Sequence, residues 1–409
     1  KHYLMERGYL FNGPEEEEKI VEERLSEFQK EIAKSQVQIL LIPTYGCNLA
    51  CTYCYERTLP VKNNLITRET TDAFFDYIGA YFTRSPVKPF ITLFGGEPLI
   101  DSPAQRSIIR YIVERCAKED YELAAVTNGY DLESYIDILR LAKIREIQVT
   151  LDGPEAVHDR RRATANGQGT FHRIINGLSK AINQGIPINL RTVVDRENLM
   201  GLVDLANFLN RRGWLDLGRN RLQTQIGRNY ELFDCYAKPR HLMGQVELWT
   251  DFVKLSESFP ILKKFHRPDF KGIRHLVDTG SMAMASFDTC PAAKTEWVFD
   301  LHGNIYGCTA SCGREEYKLG SFFPEMSLHT QAIGQWQSRH VLNIPKCTDC
   351  SYKLVCGGGC GVIAANKTGE ILTPDCRPIQ ALLELGVNYY RQEIQAMAGS
   401  EINERRCCS

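Results

Sequence analysis

Three thiols set the chemistry of this chain. Cys47, Cys51 and Cys54 stand in "YGCNLACTYCYE" at C-x3-C-x2-C spacing, with no histidine in the forty residues that follow. Thiolates are soft donors suited to iron–sulfur clusters, zinc or Cu(I). A structural zinc takes four protein ligands, so the loop reads as a zinc knuckle completed by a distant residue or as a set that stays one short. Three thiolates on a four-iron cubane leave one iron without a protein ligand. An open iron is reactive in the way that an open zinc position is. On that reading a small molecule takes the missing place.

A second thiol field lies far downstream. Cys290 leads through Gly303 to Cys308 as C-x12-G-x4-C, with Cys312 close behind. "CTDCSYKLVCGGGC" then supplies Cys347, Cys350, Cys356 and Cys360, and Cys376 follows. The chain has 15 cysteines, an odd count, and its first residues do not read as a secretion signal; both facts argue against a disulfide framework. Two zinc ions are the plain alternative for eight thiols with CxxC spacing. Of the rest, Cys116 shares a helix face with Ile108, Ile109 and Ile112 and is expected in the core. Cys235 reads as structural, and Cys407 and Cys408 as exposed thiols on a polar tail.

The composition, 43% hydrophobic and 24% charged over 409 residues, is that of an ordinary globular protein of two or three domains. A net charge of −1 gives no basic footprint for nucleic acid. No apolar run reaches the length of a membrane span. A cytoplasmic protein is expected, with neither nucleic acid nor membrane as partner.

The elements that must position the thiols are α/β. "PEEEEKIVEERLSEFQKEIAK" (14–34) predicts an amphipathic helix, with Val21, Leu25, Phe28 and Ile32 in one stripe. Strands are predicted at 38–44, 89–96, 122–129, 146–153, 188–195 and, more weakly, 221–227, with helical stretches between them. This alternation implies parallel β/α units, and six of them imply a partial (β/α)6 TIM-like barrel. Strand ends carry Pro-Thr, Gly-Gly-Glu-Pro, Thr-Asn-Gly and Leu-Asp-Gly-Pro, at the rim where parallel barrels place active sites. The expected division is an N-terminal helical segment (1–37), the barrel (38–250), a bridge (251–285), a cysteine-rich extension (286–380) and a closing helix and tail (381–409). The extension is poor in periodic segments, and metal clusters are expected to cross-link it.

The loop of Cys47, Cys51 and Cys54, with Tyr53 before the last cysteine and after a first barrel strand, resembles the radical S-adenosylmethionine (SAM) superfamily. The resemblance implies that SAM chelates the open iron. Its reductive cleavage then gives a 5′-deoxyadenosyl radical that abstracts hydrogen from an unactivated carbon. "GGEP" (Gly95, Gly96, Glu97, Pro98) resembles the motif that meets the SAM amino group; glycine there lets the backbone approach closely. "TNG" (Thr127, Asn128) resembles the third-strand end. "TLDGPEAVHDRRR" resembles a fourth-strand segment of peptide-modifying members, in which Thr150, Asp152 and Arg162 fall at the cofactor. The run Arg160 to Arg162 also reads as a solvated charge cluster, and His158 as a base or as a capping residue.

The downstream cysteines resemble the SPASM extension, which carries two auxiliary [4Fe-4S] clusters, for three in all. The resemblance places the outer cluster on Cys347, Cys350, Cys356 and Cys376. It places the inner one on Cys290, Cys308 and Cys360, with Cys312 or a substrate thiol as fourth ligand. It implies a maturase that makes an oxidative cross-link, thioether or carbon–carbon, in a ribosomally made peptide. The electron donor would be external, a flavodoxin or ferredoxin. Sulfatase-maturing relatives carry Asp directly after the second of these cysteines; this chain has Thr309, which counts against that activity. A formylglycine-type or other SPASM dehydrogenase is the alternative, followed by a non-catalytic Fe–S or zinc protein. The 46 residues before Cys47 are expected to be too few for a winged-helix leader-binding domain. Leader recognition would then fall to the N-terminal helix, to residues 230–285 or to a separate protein.

Overall fold

The six predicted runs become parallel strands of one sheet: β1 (Gln38–Ile42), β2 (Phe90–Leu93), β3 (Leu123–Thr127), β4 (Ile144–Thr150), β5 (Ile188–Val194) and β6 (Leu222–Arg228). The computed structural model describes residues 11–59, 64–82, 87–229, 232 and 239–397. Cys235, Cys407 and Cys408 lie outside the described residues. β1, β2, β3 and β5 read as near-continuous apolar runs because both their faces are covered, whereas β4 and the edge strand β6 expose polar positions. β1 is buried at Ile39, Leu40, Leu41 and Ile42. The sheet runs β10-β9-β8-β7-β1-β2-β3-β4-β5-β6, so it ends at β6 and is an unclosed barrel.

Helices fill the crossovers. α1 (Pro14–Lys34) has the predicted bounds, with Pro14 and three glutamates suited to a helix N-terminus. α2 (Arg68–Tyr81) and α3 (Pro103–Lys118) follow; Thr67 and Ser102 cap them by accepting from Thr70 N and Gln105 N. α3 buries Ile108, Ile109, Ile112 and Cys116 on one face, so Cys116 is a core thiol as expected. α4 (Leu132–Leu139), α5 (Glu155–Arg161), α6 (Phe171–Asn183) and α7 (Gly201–Arg211) complete the barrel shell. Of the bridge, α8 (Gln245–Ser258) and the helix Ile273–Thr279 pack with the closing helix Ile379–Tyr389 around Phe270, Ile273 and Tyr390. The Tyr390 hydroxyl donates to Pro268 O at 2.8 Å.

The cysteine-rich extension departs from expectation in one respect: its strands join the main sheet. β7 (Glu296–Asp300) pairs parallel with β1, Gln38 facing Glu296 and Ile42 facing Asp300. β8 (Asn304–Tyr306), β9 (Lys318–Ser321) and β10 (Ser327–Leu328) continue it antiparallel. Val298, Phe299, Ile305, Cys308 and Trp336 therefore belong to the same core as the barrel strands. The extension borrows a core and does not depend on metal alone. α1 covers its far side, where Phe28 meets Phe287 at 5.7 Å between ring centroids.

One buried cation organises the turn between Cys356 and Cys360. Arg339 is 1% exposed and donates to the carbonyls of Gly358, Gly359, Ile371 and Thr373 and to Asp288 Oδ1 at 3.0 Å. Asp288 also accepts from Cys290 N and pairs with Lys294 at 3.0 Å, so a buried ion group links the two halves of the thiol field.

Candidate active site

The cysteine loop leaves β1 and is clamped from two sides. On one side, Gly96 N donates to Thr44 O at 3.1 Å and Glu97 N to Gly46 O at 2.8 Å. On the other, Ala50 N donates to Ala163 O and Thr52 N to Arg161 O, with Leu49 bridged to Thr164. The clamp explains both glycines. Gly95 sits at φ +121°, and a Cβ on Gly96 would lie 2.2 Å from Gly46 O. The close approach that demands glycine is to the cysteine loop's own backbone. Gly96→Ala is therefore expected to lower stability by about 1–3 kcal/mol, as overpacking does. It is also expected to lose the iron held by the loop. Thermal melting and iron analysis of the purified variant check both.

Glu97, 1% exposed, ties the end of β2 to the end of β3. Its carboxylate accepts from Thr127 Oγ1 at 2.6 Å, Asn128 N at 2.6 Å and Leu99 N at 2.9 Å. Burial pushes it up to about 7 against those hydrogen bonds. Asn128 donates from Nδ2 to Asn48 Oδ1 at 2.8 Å and reaches Cys47 Sγ at 3.8 Å; Leu49 N donates to the same sulfur at 3.4 Å. Donors to a ligating sulfur raise a cluster's reduction potential.

The three arginines separate cleanly. Arg160 is exposed and pairs with Glu197 at 2.9 Å. Arg161, 1% exposed, spends its guanidinium on Asp152, Asp195, Glu197 and Val193 O. Arg162 lines the cavity, donates to the Tyr53 hydroxyl at 2.6 Å, and has a buried Nε with no hydrogen-bond partner. Tyr53 in turn donates to Asp152 Oδ2 at 2.6 Å. Asp152 thus stands behind Tyr53, fully buried, and positions Tyr53 and Arg161 rather than facing a ligand. Pro98 is also off the cavity wall.

His158 is no base. It is fully buried; its Nδ1 accepts from Asp152 N at 3.2 Å, so Nε2 carries the proton and donates to Thr170 Oγ1 at 3.0 Å. Thr170 passes the chain on to Arg162 O. Burial, then the Arg162 charge, lowers its pKa to about 4. A folded value below the ordinary 6.5 means that the unfolded chain takes up the proton first, so this contribution to stability is lost as pH falls from 6.5 toward 4. Between pH 7 and 5, His158→Gln is expected to gain roughly 2 kcal/mol on the parent in denaturant unfolding.

A cavity of about 290 Å³ gathers these groups: Cys47, Cys51, Cys54, Gly95, Gly96, Glu97, Thr127, Asn128, Thr150 and Arg162 all line it. Every residue predicted at the cofactor is there except Pro98 and Asp152. Sequence reasoning missed Gln148, Arg191, Val193 and Arg228, which line it from β4, β5 and β6, and Thr309 and Ala310 from the extension. Inward strand positions at the rim were the only signal for the first four. Tyr55 ties the two parts together by donating to Thr309 O at 3.3 Å.

The donor set suits a cluster with an open corner. Cys47 and Cys54 are each within electrostatic reach of Cys51, and burial pushes both up to about 12. Cys47 nonetheless faces the cavity with an exposed side chain. Among the described residues no three His, Cys, Asp or Glu side chains converge tightly enough to hold a single ion. A cubane, which gives each iron its own thiolate, takes a wider set than one ion does. The orphaned Arg162 Nε adds a cation for a bound carboxylate.

The downstream thiols fall into two groups. Cys308 lies within the field of Cys290 and Cys360. Cys347 lies within that of Cys350, Cys356 and Cys376. Cys312, 2% exposed, neighbours Cys308 but also Glu56, and its Sγ lies 3.1 Å from Thr309 O as donor. Glu56 was not anticipated; it is 8% exposed with an unpartnered Oε1.

Residues 41–209 match the family profile described as "Radical SAM superfamily". A GTP 3′,8-cyclase of Campylobacter curvus is 28% identical over 41% of this chain, and the match spans only about half, 51%, of that protein's length. The mycofactocin maturase MftC of Mycolicibacterium smegmatis is 23% identical over 78% of this chain and 76% of its own. A serine-type anaerobic sulfatase-maturating enzyme of Bacteroides thetaiotaomicron is 22% identical over 79% and 82%. Among solved structures, anSMEcpe with bound AdoMet superposes with a TM-score of 0.67 at 16% identity, covering 89% of this chain and 96% of that one. Streptococcus suis SuiB bound to its precursor peptide SuiA superposes with a TM-score of 0.61 at 16% identity, covering 90% and 82%. No helix among the described residues is long and apolar enough to cross a membrane.

Proposed function

From the premise that this chain carries a radical SAM domain and is a peptide-modifying enzyme of the SPASM type, we propose that it forms an oxidative cross-link, thioether or carbon–carbon, in a ribosomally made peptide. The observation that carries the reading is the shared cavity. Three thiols, the Glu97 clamp and the unpartnered Nε of Arg162 meet there with Thr309 of the extension.

Cys47, Cys51 and Cys54 would hold a four-iron cluster, and Arg162 with Thr150 would hold the carboxylate end of SAM. When bound, that pair supplies a carbon-centred 5′-deoxyadenosyl radical able to take hydrogen from an unreactive carbon. Asp152 and Tyr53 fix Arg162 in place. Asn128 adjusts the electron demand at Cys47 through its donor to sulfur. Cys290, Cys308 and Cys360 would hold a second cluster and Cys347, Cys350, Cys356 and Cys376 a third, with Cys312 as candidate fourth ligand of the second. An external flavodoxin or ferredoxin would deliver the electron.

Thr309 supports the cross-linking reading. It lines the cavity and has no carboxylate, so the position that would offer a base for oxidising a serine or cysteine side chain offers none. A sulfatase-type dehydrogenation stands second, supported by the maturase relatives. The test is anaerobic co-production with short peptides encoded beside the gene, followed by fragmentation mass spectrometry. Loss of two hydrogens with fragments missing between two residues supports the cross-link. A two-hydrogen loss confined to one residue sinks it in favour of dehydrogenation.

A further inference from the structure

A second cavity, of about 480 Å³, lies beside the first, and Arg191 and Arg228 line both. Its far wall carries Cys360 and Cys376 of the downstream thiol field. Lys367 and Arg377 stand in this wall too, each within ion-pair distance of Asp375 (3.3 and 3.5 Å). Arg228 is committed, donating to Met243 O at 2.9 Å. Arg191 is not. It sits half-buried on β5, and among the described residues its guanidinium makes no hydrogen bond, ion pair or ring contact. It lies flush against Gly227 of β6: a Cβ there would meet Nη2 at 2.9 Å, Cζ at 3.2 Å and Nε at 3.3 Å. The strand pair thus leaves room for this guanidinium and gives it nothing to bind. An unpaired, partly desolvated cation is costly unless an anion completes it, and the planar fork matches a carboxylate.

Resting on the peptide-modifying reading above, we propose that the second cavity admits the peptide substrate and that Arg191 binds a carboxylate of that peptide near the residue to be modified. Arg162 lines the cofactor cavity alone, whereas Arg191 also lines the second cavity, where it can read an incoming chain. The carboxylate is an Asp or Glu side chain or the peptide's own C-terminus.

Fluorescein-labelled Gly/Ser peptides test this against the anaerobically reconstituted full-length enzyme with SAM. One set contains Glu or Gln at a single position with an amidated end; the other ends in a free acid or an amide. Anisotropy is expected to show at least about tenfold tighter binding for the Glu or the free-acid member, which also tells the two sources apart. Arg191→Gln should bring that ratio close to one, and Arg191→Lys should restore part of it. Gly227→Ala, which shifts the guanidinium without removing charge, should reduce the ratio while iron content stays that of the parent. A ratio unchanged in Arg191→Gln, or no binding by any peptide, overturns the proposal. So does a larger loss of SAM affinity than of peptide affinity, which would put Arg191 on the cofactor, or loss of iron, which would make it a counter-charge for a cluster. A parent enzyme that binds no iron and cleaves no SAM would instead sink the reading on which the proposal rests.

Discussion

Cys47→Ala is expected to abolish SAM cleavage, with 5′-deoxyadenosine falling on the order of a thousandfold, to background. Among the three thiols of the loop, Cys47 is the one whose loss is cleanest. It is exposed to the cavity, whereas Cys51 is only 8% exposed and its truncation would also disturb packing. The loop around Cys47 is held by backbone bonds from Gly96 and Glu97, which alanine at position 47 leaves intact. The fold should therefore survive while one corner of the ligand set is lost. Anaerobic reconstitution, iron analysis and chromatography of deoxyadenosine under strong reductant check it, with iron expected to fall by about a third if all three thiol groups load. A variant that cleaves SAM at the parent's rate would show that these thiols are not the catalytic set. A parent that binds zinc and makes no deoxyadenosine would favour the knuckle.

Much of this arrangement is legible in the chain because its determinants are local. β1, β2, β3 and β5 show as apolar runs since a parallel sheet covered on both faces buries most of their residues, β4 and β6 show more weakly because each carries exposed polar positions, and the thiol spacing is itself a short-range pattern. What escapes is long-range. β7, "EWVFD", is five residues in a cysteine-rich stretch, and nothing local says that Glu296 will face Gln38 across more than half the chain. The same holds for Asp152. Its motif places it at the strand end, but only the packed structure shows Tyr53 and Arg161 taking its oxygens. Three consecutive arginines likewise read alike until α5 ends: Arg161 turns into the acidic pair behind the site, Arg160 to solvent and Arg162 to the cavity. Glycines 95 and 96 are visible as a motif, yet their physical reason, the carbonyls of Thr44 and Gly46, lies on another strand's loop.

Loss of Cys290 is expected to separate SAM cleavage from product formation. A cross-link removes two hydrogens from the peptide. One is taken by the deoxyadenosyl group; the second leaves as a proton and an electron, and that electron needs an acceptor other than SAM. Cys290 and Cys360 lie in the electrostatic field of Cys308, which stands next to Thr309 on the cavity wall. That group therefore adjoins the cavity wall and is the one expected to hold an acceptor. Cys290 is 6% exposed, its amide is held by Asp288 at 3.0 Å, and Asp288 is held by Arg339, so the backbone there is fixed independently of the sulfur. Cys290→Ala should then fold, retain about two thirds of the parent's iron and form deoxyadenosine within roughly threefold of the parent's rate, while product drops on the order of a hundredfold. Both rates are read in the same reaction, by chromatography of deoxyadenosine and mass spectrometry of the peptide, with thermal melting to confirm the fold. Full product from Cys290→Ala would remove these thiols from the reaction and leave them a structural role. Loss of deoxyadenosine together with product would mean that the extension supports the first site rather than completing the chemistry begun there.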